Sequence, residues 1–299
     1  MPTASIPLFV NPTAGRGRSA RRLERVREIL AEADLDCSVH TSTAVGHLEE
    51  LVRDAINAGA DQVVVAGGDG SIYEAVNGIM RADRSAALGV IPTGTGNDFA
   101  KASDIPLDWE HATQLLASRT VAAAAFRTID IGRMNDRYFA NGAGIGFDAK
   151  VTKVARSYRW PTGDLVYLLA IFRCMADGIA TPHLRITADE LEWSGPVTLA
   201  NVSNGPWIGG MFHIAPMAKN NDAKLDLLIA DPVSRGRLLT LLPKLMRGRH
   251  MDEPEISHAG VSKVTISASA PVPSHLDGEV QAMASEFEIE VLPAALNLL

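Results

Sequence analysis

Hydrophobic positions along the chain follow two regimes. In the first hundred residues, short apolar runs alternate with stretches whose apolar side chains recur every three or four positions. Residues 6–10 read as a strand, and Leu23, Val26, Leu30 and Ala33 then mark one face of a helix. Val39 lies near the end of a second short strand. Leu48, Leu51, Val52, Ala55 and Ile56 follow at i, i+3, i+4, i+7 and i+8, the stripe of a helix covering a sheet. Residues 62–66 form a near-continuous β-branched run of the kind buried on both faces of a parallel sheet. Ile72, Ala75, Val76, Ile79 and Met80 supply the next helix, and residues 88–91 the next strand. This alternation predicts an α/β domain on an open sheet, with its functional loops at the carboxyl ends of the strands.

After about residue 125 the pattern changes to strands joined by turns. Residues 128–134, then Asn135-Asp136, then residues 137–141 predict a hairpin. Further strands are expected at 197–203, 225–229, 264–268 and 287–291. In the last, Phe287, Ile289 and Val291 alternate with glutamates as in a half-solvated strand. Helices interrupt at 164–177 and 235–247. The expected fold is therefore α/β: an open nucleotide-binding sheet domain over 1–125, then a β-rich, sandwich-like domain over 126–299 whose C-terminal tail can return to the first.

Composition narrows the class. A length of 299 residues suits two domains at roughly 150 residues each. With 46% hydrophobic and 21% charged residues, collagen-like, disordered and coiled-coil readings fall away. A net charge of −7 disfavours a general nucleic-acid binder, which must neutralise phosphates. Cys37 and Cys174 lie far apart with no C-x-x-C, so free apolar thiols are expected rather than a disulfide. The chain opens without a basic segment and long apolar stretch, and the aliphatic run at 165–172 falls well short of the roughly 20 residues that span a bilayer. The expectation is a cytoplasmic protein.

The strongest local signal is Gly67-Gly68-Asp69-Gly70-Ser71, in which a buried strand runs into glycines around an acid and a hydroxyl able to cap the next helix. Glycines let backbone N–H groups approach anionic oxygens, and a helix start presents its positive end to the same place. Asp69 would repel a bare phosphate, which argues for a bridging Mg²⁺; the plainer reading is a tight turn. After the next strand, Pro92 leads into Gly94, Thr95, Gly96, Asn97 and Asp98, offering close approach, hydrogen bonds to a nucleotide and another carboxylate, or simply a helix cap. A third loop, Asn11-Pro12-Thr13-Ala14-Gly15-Arg16-Gly17-Arg18, follows the first strand. Near the C-terminus, His275-Leu276-Asp277-Gly278-Glu279 sets two carboxylates about a glycine. That arrangement serves either proton acceptance from a hydroxyl or a hairpin turn. No G-x-x-x-x-G-K-S/T, H-E-x-x-H, paired C-x-x-C or G-x-S-x-G occurs. Gly142, Gly144 and Gly146 approach a dinucleotide fingerprint, but Phe147 stands at the third glycine position.

In order and spacing these four loops resemble the diacylglycerol kinase-type lipid kinases of bacteria, relatives of the eukaryotic diacylglycerol and sphingosine kinases, over nearly the whole chain. The resemblance implies ATP-dependent transfer of the γ-phosphoryl group to a lipid hydroxyl. Nucleotide would meet Asn11, Gly67, Gly68, Asp69, Gly70, Ser71, Thr95 and Asn97, with one hydroxyl among Thr41, Ser42 and Thr43, here taken as Thr41. Asp69, Asp98 and Asp130 would organise catalytic Mg²⁺, and Glu279, supported by Asp277, would accept the proton. A separate structural Mg²⁺ in the second domain would be held by Lys219, Asp222 and Lys224, the lysines through their carbonyls. Two positions depart from the family pattern: Ser71 replaces Thr, and Ala223 stands where Gly is usual, although Ala tolerates positive φ poorly. The alternatives are an NAD kinase-like phosphotransferase on a soluble substrate and a non-catalytic nucleotide- or lipid-binding regulator.

A lipid acceptor implies peripheral membrane association. Basic runs lie at residues 16–27, 150–159 and 235–250; the last carries Arg235, Arg237, Lys244, Arg247 and Arg249 among leucines and is expected either to dock on anionic lipid or to pack as an ordinary helix. The first run is the better placed to meet ATP phosphates.

Overall fold

Each apolar run of the first hundred residues becomes a parallel strand and each amphipathic stretch a helix. The computed structural model describes residues 5–158 and 164–299; Arg159, the last cation of the second basic run, lies outside them. Contacts divide the chain into unit 1, Met1–Ile129 with Ala294–Leu299, and unit 2, Asp130–Pro293.

Unit 1 runs β1 (Ile6–Val10), α1 (Arg18–Glu32), β2 (Cys37–Thr41), α2 (His47–Asn57), β3 (Gln62–Gly67), α3 (Asp69–Met80), β4 (Ala87–Pro92), α4 (Asp98–Ala102) and α5 (Trp109–Val121). The strands pair in parallel in the order β2, β1, β3, β4. Asn297 and Leu298 of the last strand add beside β4. Leu8, Val10, Val26, Leu30, Val64 and Ile91 are buried together between sheet and helices, each worth roughly 1.5–3 kcal/mol of removal from water. Because β1, β3 and β4 are neighbours, the loops at their carboxyl ends emerge side by side. Helix α3 starts three residues earlier than a Ser71 cap requires: Gly68 is the N-cap, in extended backbone, and Ser71 lies buried within the first turn.

Unit 2 contains β5 (Arg127–Met134, begun in unit 1), β6 (Arg137–Phe139), β7 (Gly142–Gly146), α6 (Phe147–Ser157), α7 (Asp164–Asp177), β8 (His183–Ala188), β9 (Leu191–Pro196), β10 (Leu199–Ser203), β11 (Leu225–Ala230), α8 (Arg235–Met246), β12 (Ile256–Val261), β13 (Lys263–Val272), β14 (Ser274–Leu276), β15 (Glu279–Val280) and most of β16 (Ala284–Leu298). One antiparallel sheet has the order β12, β11, β10, β7, β14, β15. Strand β13 pairs antiparallel with β8 and with the early part of β16, and β8 with β9. Phe147, Val151 and Ala155 of α6 pack with Ala170, Ile171 and Cys174 of α7. The α/β architecture followed by a β-sandwich-like domain is thus the one expected.

Three boundaries differ from expectation. The hairpin strand foreseen to Asn141 ends at Phe139, because the next three backbone N–H groups turn to a side chain, Asp277. Strand β10 begins at Leu199 rather than 197, since Val197 donates to Pro182 O instead. The glycines at 142, 144 and 146 are themselves a sheet strand, not a phosphate turn. Helices α4, α5 and α6 add to those expected. Both cysteines are free, and among the described residues no helix is long and apolar enough to cross a membrane.

Candidate functional site

The three glycine loops of unit 1 interlock because side chains are missing from them. A Cβ on Gly94 would lie 2.5 Å from Gly68 Cα, and one on Gly15 2.3 Å from Thr93 O; real Cβ contacts do not come so close, so each position admits only glycine without movement. Arg18, the first residue of α1, donates from Nε to Gly15 O at 2.9 Å and from Nη2 to Thr95 Oγ1 at 2.7 Å. It thereby joins the loop after β1 to the loop after β4. Asn11 closes its own loop, its Oδ1 accepting from Thr13 N at 3.0 Å and Thr13 Oγ1 at 2.8 Å. Among the described residues no side chain caps α3, and a helix start carries the positive end of the helix dipole. Gly67, Gly68, Asp69, Gly70 and Ser71 therefore surround a helix start suited to an anion. Asn97, at φ 52°, opens α4, and among the described residues its buried Oδ1 has no hydrogen-bond partner. Of the hydroxyls after β2, Ser42 is buried and Thr43 Oγ1 meets His47 Nδ1 at 2.9 Å, while Thr41 is exposed at the strand's end.

Asp69 is the first residue of α3, and its Oδ1 accepts the Phe99 N–H at 3.2 Å. Neighbouring Asp98 is buried and pairs with Lys101 at 3.3 Å. Magnesium in phosphoryl-transfer sites takes one or two protein carboxylates, the substrate's phosphates supplying other oxygens. Asp69 and Asp98, linked through Phe99 N–H, suit that demand. Asp130 stands in unit 2, where its Oδ2 accepts the Ala223 N–H at 2.7 Å and its own N–H reaches Asn220 O at 2.7 Å. It thus braces the loop of Lys219, Asp222 and Lys224. Ala223 there adopts φ 60°. Asp222 Oδ1 accepts the Lys224 N–H at 3.1 Å. Burial, and next the like charge of Asp222, push Asp226 above the usual carboxylate range, so a cation beside Asp222 would be welcome. Among the described residues no three His, Cys, Asp or Glu side chains gather to hold a metal by themselves.

The Asp277-Gly278 pair proves to be a hairpin turn between β14 and β15, with φ 49° and 82°. It is more than a turn. Asp277 reaches back to accept from Ala140 N, Asn141 N and Gly142 N at 2.8, 2.9 and 2.8 Å. Enclosure pushes its carboxyl up to about 6, against the pull of these three donors. Glu279 is held through its carboxylate by Arg156 Nη1, which also donates to Gly278 O at 3.0 Å. Arg156 lies in the last turn of α6, a helix sequence patterning did not disclose because Phe147, Val151 and Ala155 stand among lysines just after the glycine-rich strand. An apolar cavity of about 480 Å³ opens in unit 2, lined by Phe147, Lys150, Pro182, Pro271, Val272 and Met283 among others.

Residues 5–134 match the diacylglycerol kinase catalytic domain, and residues 142–299 the YegS C-terminal NAD kinase β-sandwich-like domain. The chain belongs to this family. It is 32% identical to the diacylglycerol kinase of Bacillus subtilis (strain 168) over 284 residues, 92% of this chain and 90% of that protein. It is 31% identical to "Probable lipid kinase YegS-like" of Pectobacterium atrosepticum, over 94% and 92%. A solved diacylglycerol kinase of Bacillus anthracis str. Sterne shares the fold with a TM-score of 0.74 at 21% identity, covering all of this chain and 97% of that one. Family membership makes the chain a kinase, with a nucleotide as substrate.

The contacts of the third basic run fit the second of its two readings, an ordinary packed helix. Arg237 pairs with Glu253 and with Glu255 at 2.7 Å, Lys244 pairs with Glu253, and Arg235 donates to Ala176 O at 3.2 Å. Leu241 and Leu242 of α8 are buried. Arg237 and Lys244 are thus charge-paired within the unit, and α8 packs as an ordinary helix.

Proposed function

We propose that the chain is an ATP-dependent, Mg²⁺-requiring lipid kinase that transfers the γ-phosphoryl group to a lipid hydroxyl such as that of diacylglycerol. The observation carrying this reading is the convergence of three glycine loops on the uncapped start of α3, with Asp69 and Asp98 beside it. The β- and γ-phosphates lie against the glycine backbone at that helix start, with Asn11, Thr95 and Asn97 on the loops after β1 and β4 and Thr41 at the end of β2. Bound Mg²⁺ supplies charge neutralisation to the phosphates, held by Asp69 and Asp98; a second ion would sit at Asp222 with the Lys219 and Lys224 carbonyls, braced by Asp130.

Glu279 takes the proton of the lipid hydroxyl. The lipid oxygen then bonds to the γ-phosphorus as the bond to the β,γ-bridging oxygen breaks, and ADP leaves with that electron pair. Asp277 holds the turn from which Glu279 projects. The apolar walls of the unit 2 cavity suit hydrocarbon, which supports a lipid over a soluble acceptor. The reaction takes place peripherally at a membrane surface, where such acceptors reside. The test is radiolabelled ATP with diacylglycerol, a sphingoid base and NAD as parallel acceptors. Label in a lipid product is expected; label in NAD alone, or nucleotide binding without transfer to any acceptor, would overturn the reading.

A further inference from the structure

A second system holds the Asp277–Glu279 turn besides the three amides on Asp277. His275, on β14, is fully buried. Its Nδ1 accepts the Gly278 N–H at 3.3 Å, so in the neutral ring the proton sits on Nε2. Nε2 faces Asp148 Oδ2 at 3.5 Å, and among the described residues neither of these buried atoms has a hydrogen-bond partner. Asp148 stands in the first turn of α6, where its other oxygen accepts the Ala149 N–H at 2.8 Å. Room for the pair is left by Gly144 of β7: a Cβ there would lie 2.1 Å from Asp148 Oδ2 and 2.3 Å from His275 Nε2. A buried imidazole and a buried carboxylate oxygen left unpaired are costly, and each is the other's natural partner.

We infer that Asp148 and His275 form a positioning pair for the catalytic turn. Asp148 fixes the Nε2–H form of His275, and the Nδ1 lone pair so left anchors the Gly278 N–H and the backbone that carries Glu279. Arg156 restrains the side chain of Glu279; His275 restrains its backbone. The inference rests on the proposed role of Glu279 as proton acceptor.

Asp148→Asn tests it in the full chain. The Asn oxygen stays with the Ala149 N–H, so the amide NH₂ replaces Oδ2 and donates to Nε2. The ring proton must then move to Nδ1, where it opposes the Gly278 N–H. With histidine labelled in ¹⁵N, the wild-type ring is expected to show a proton on Nε2 alone and the variant a proton on Nδ1. The turnover number should fall on the order of 10²-fold while the nucleotide KM stays within about twofold, the pattern of a misplaced catalytic group. His275→Phe, which keeps the ring's bulk without its nitrogens, should lower kcat alike with circular dichroism and nucleotide binding unchanged. A wild-type ring protonated on Nδ1, or wild-type turnover in both variants, would overturn the pairing. Failure of the wild-type chain to phosphorylate any lipid would instead overturn the functional reading; the nitrogen shifts would still decide the pairing.

Discussion

The glycine loops of unit 1 and the carboxylate turn of unit 2 are built in opposite ways. The loops close because side chains are absent: a Cβ on Gly94 would fall 2.5 Å from Gly68 Cα, and among the described residues no side chain caps α3. The turn closes because side chains are present: Asp277 gathers three amides, His275 a fourth, and Arg156 holds Glu279. A phosphate has to meet bare backbone, whereas a proton acceptor has to be aimed. The first requirement favours glycine; the second favours buried polar partners.

The comparison breaks most directly at Gly94. Gly94→Ala drives a Cβ against Gly68 Cα, and the loops must part. Nucleotide affinity should fall on the order of 10²-fold or more, read by calorimetric titration with the fold checked by circular dichroism; unchanged affinity would mean that the contact does not shape the site. On the turn, Glu279→Gln should lower kcat about 10²–10⁴-fold while nucleotide still binds, and near-normal turnover would reassign the proton acceptor.

A subtler test uses pH. Asp277 is pushed from 3.8 up to about 6 by burial. The folded value exceeds the unfolded one, so its stabilising contribution is full below the unfolded pKa and is lost as pH rises through about 6. Turnover should move the other way, declining below about pH 6 as the carboxylate becomes a poorer acceptor for its three amides. Asp277→Asn should flatten the stability profile measured by urea unfolding between about pH 4 and 6, in the window set by those two values; an unaltered profile would show that another group titrates there. The smallest effect belongs to Ala223. At φ 60° it bears a strain of roughly 1–2 kcal/mol that glycine lacks. Ala223→Gly should therefore stabilise by about 1 kcal/mol and raise Tm by roughly 2–4 °C. A lower Tm would show that the greater unfolded-state freedom of glycine outweighs that strain.

Strand and helix alternation in unit 1 could be read from periodicity because its core positions are local and regular. The glycine loops could be read because missing side chains are visible in a sequence. In unit 2 the turn dipeptide Asp277-Gly278 was plain, but its purpose was not. Its partners at 140–142, 148 and 156 lie more than a hundred residues away, and a carboxylate that collects backbone amides leaves no pattern in residue type. Arg237 shows the converse: a cation that looks available in sequence is engaged by Glu253 and Glu255, which only folding brings near.

What the sequence determined alone was the order of elements, the glycine loops and the acids around them, since hydrophobic period and glycine placement act over a few residues. The tertiary structure decided which acids stand together, which arginine restrains Glu279 and which histidine anchors its turn. Hydrogen bonds and ion pairs depend on separations of about 3 Å, and chain order does not record such distances.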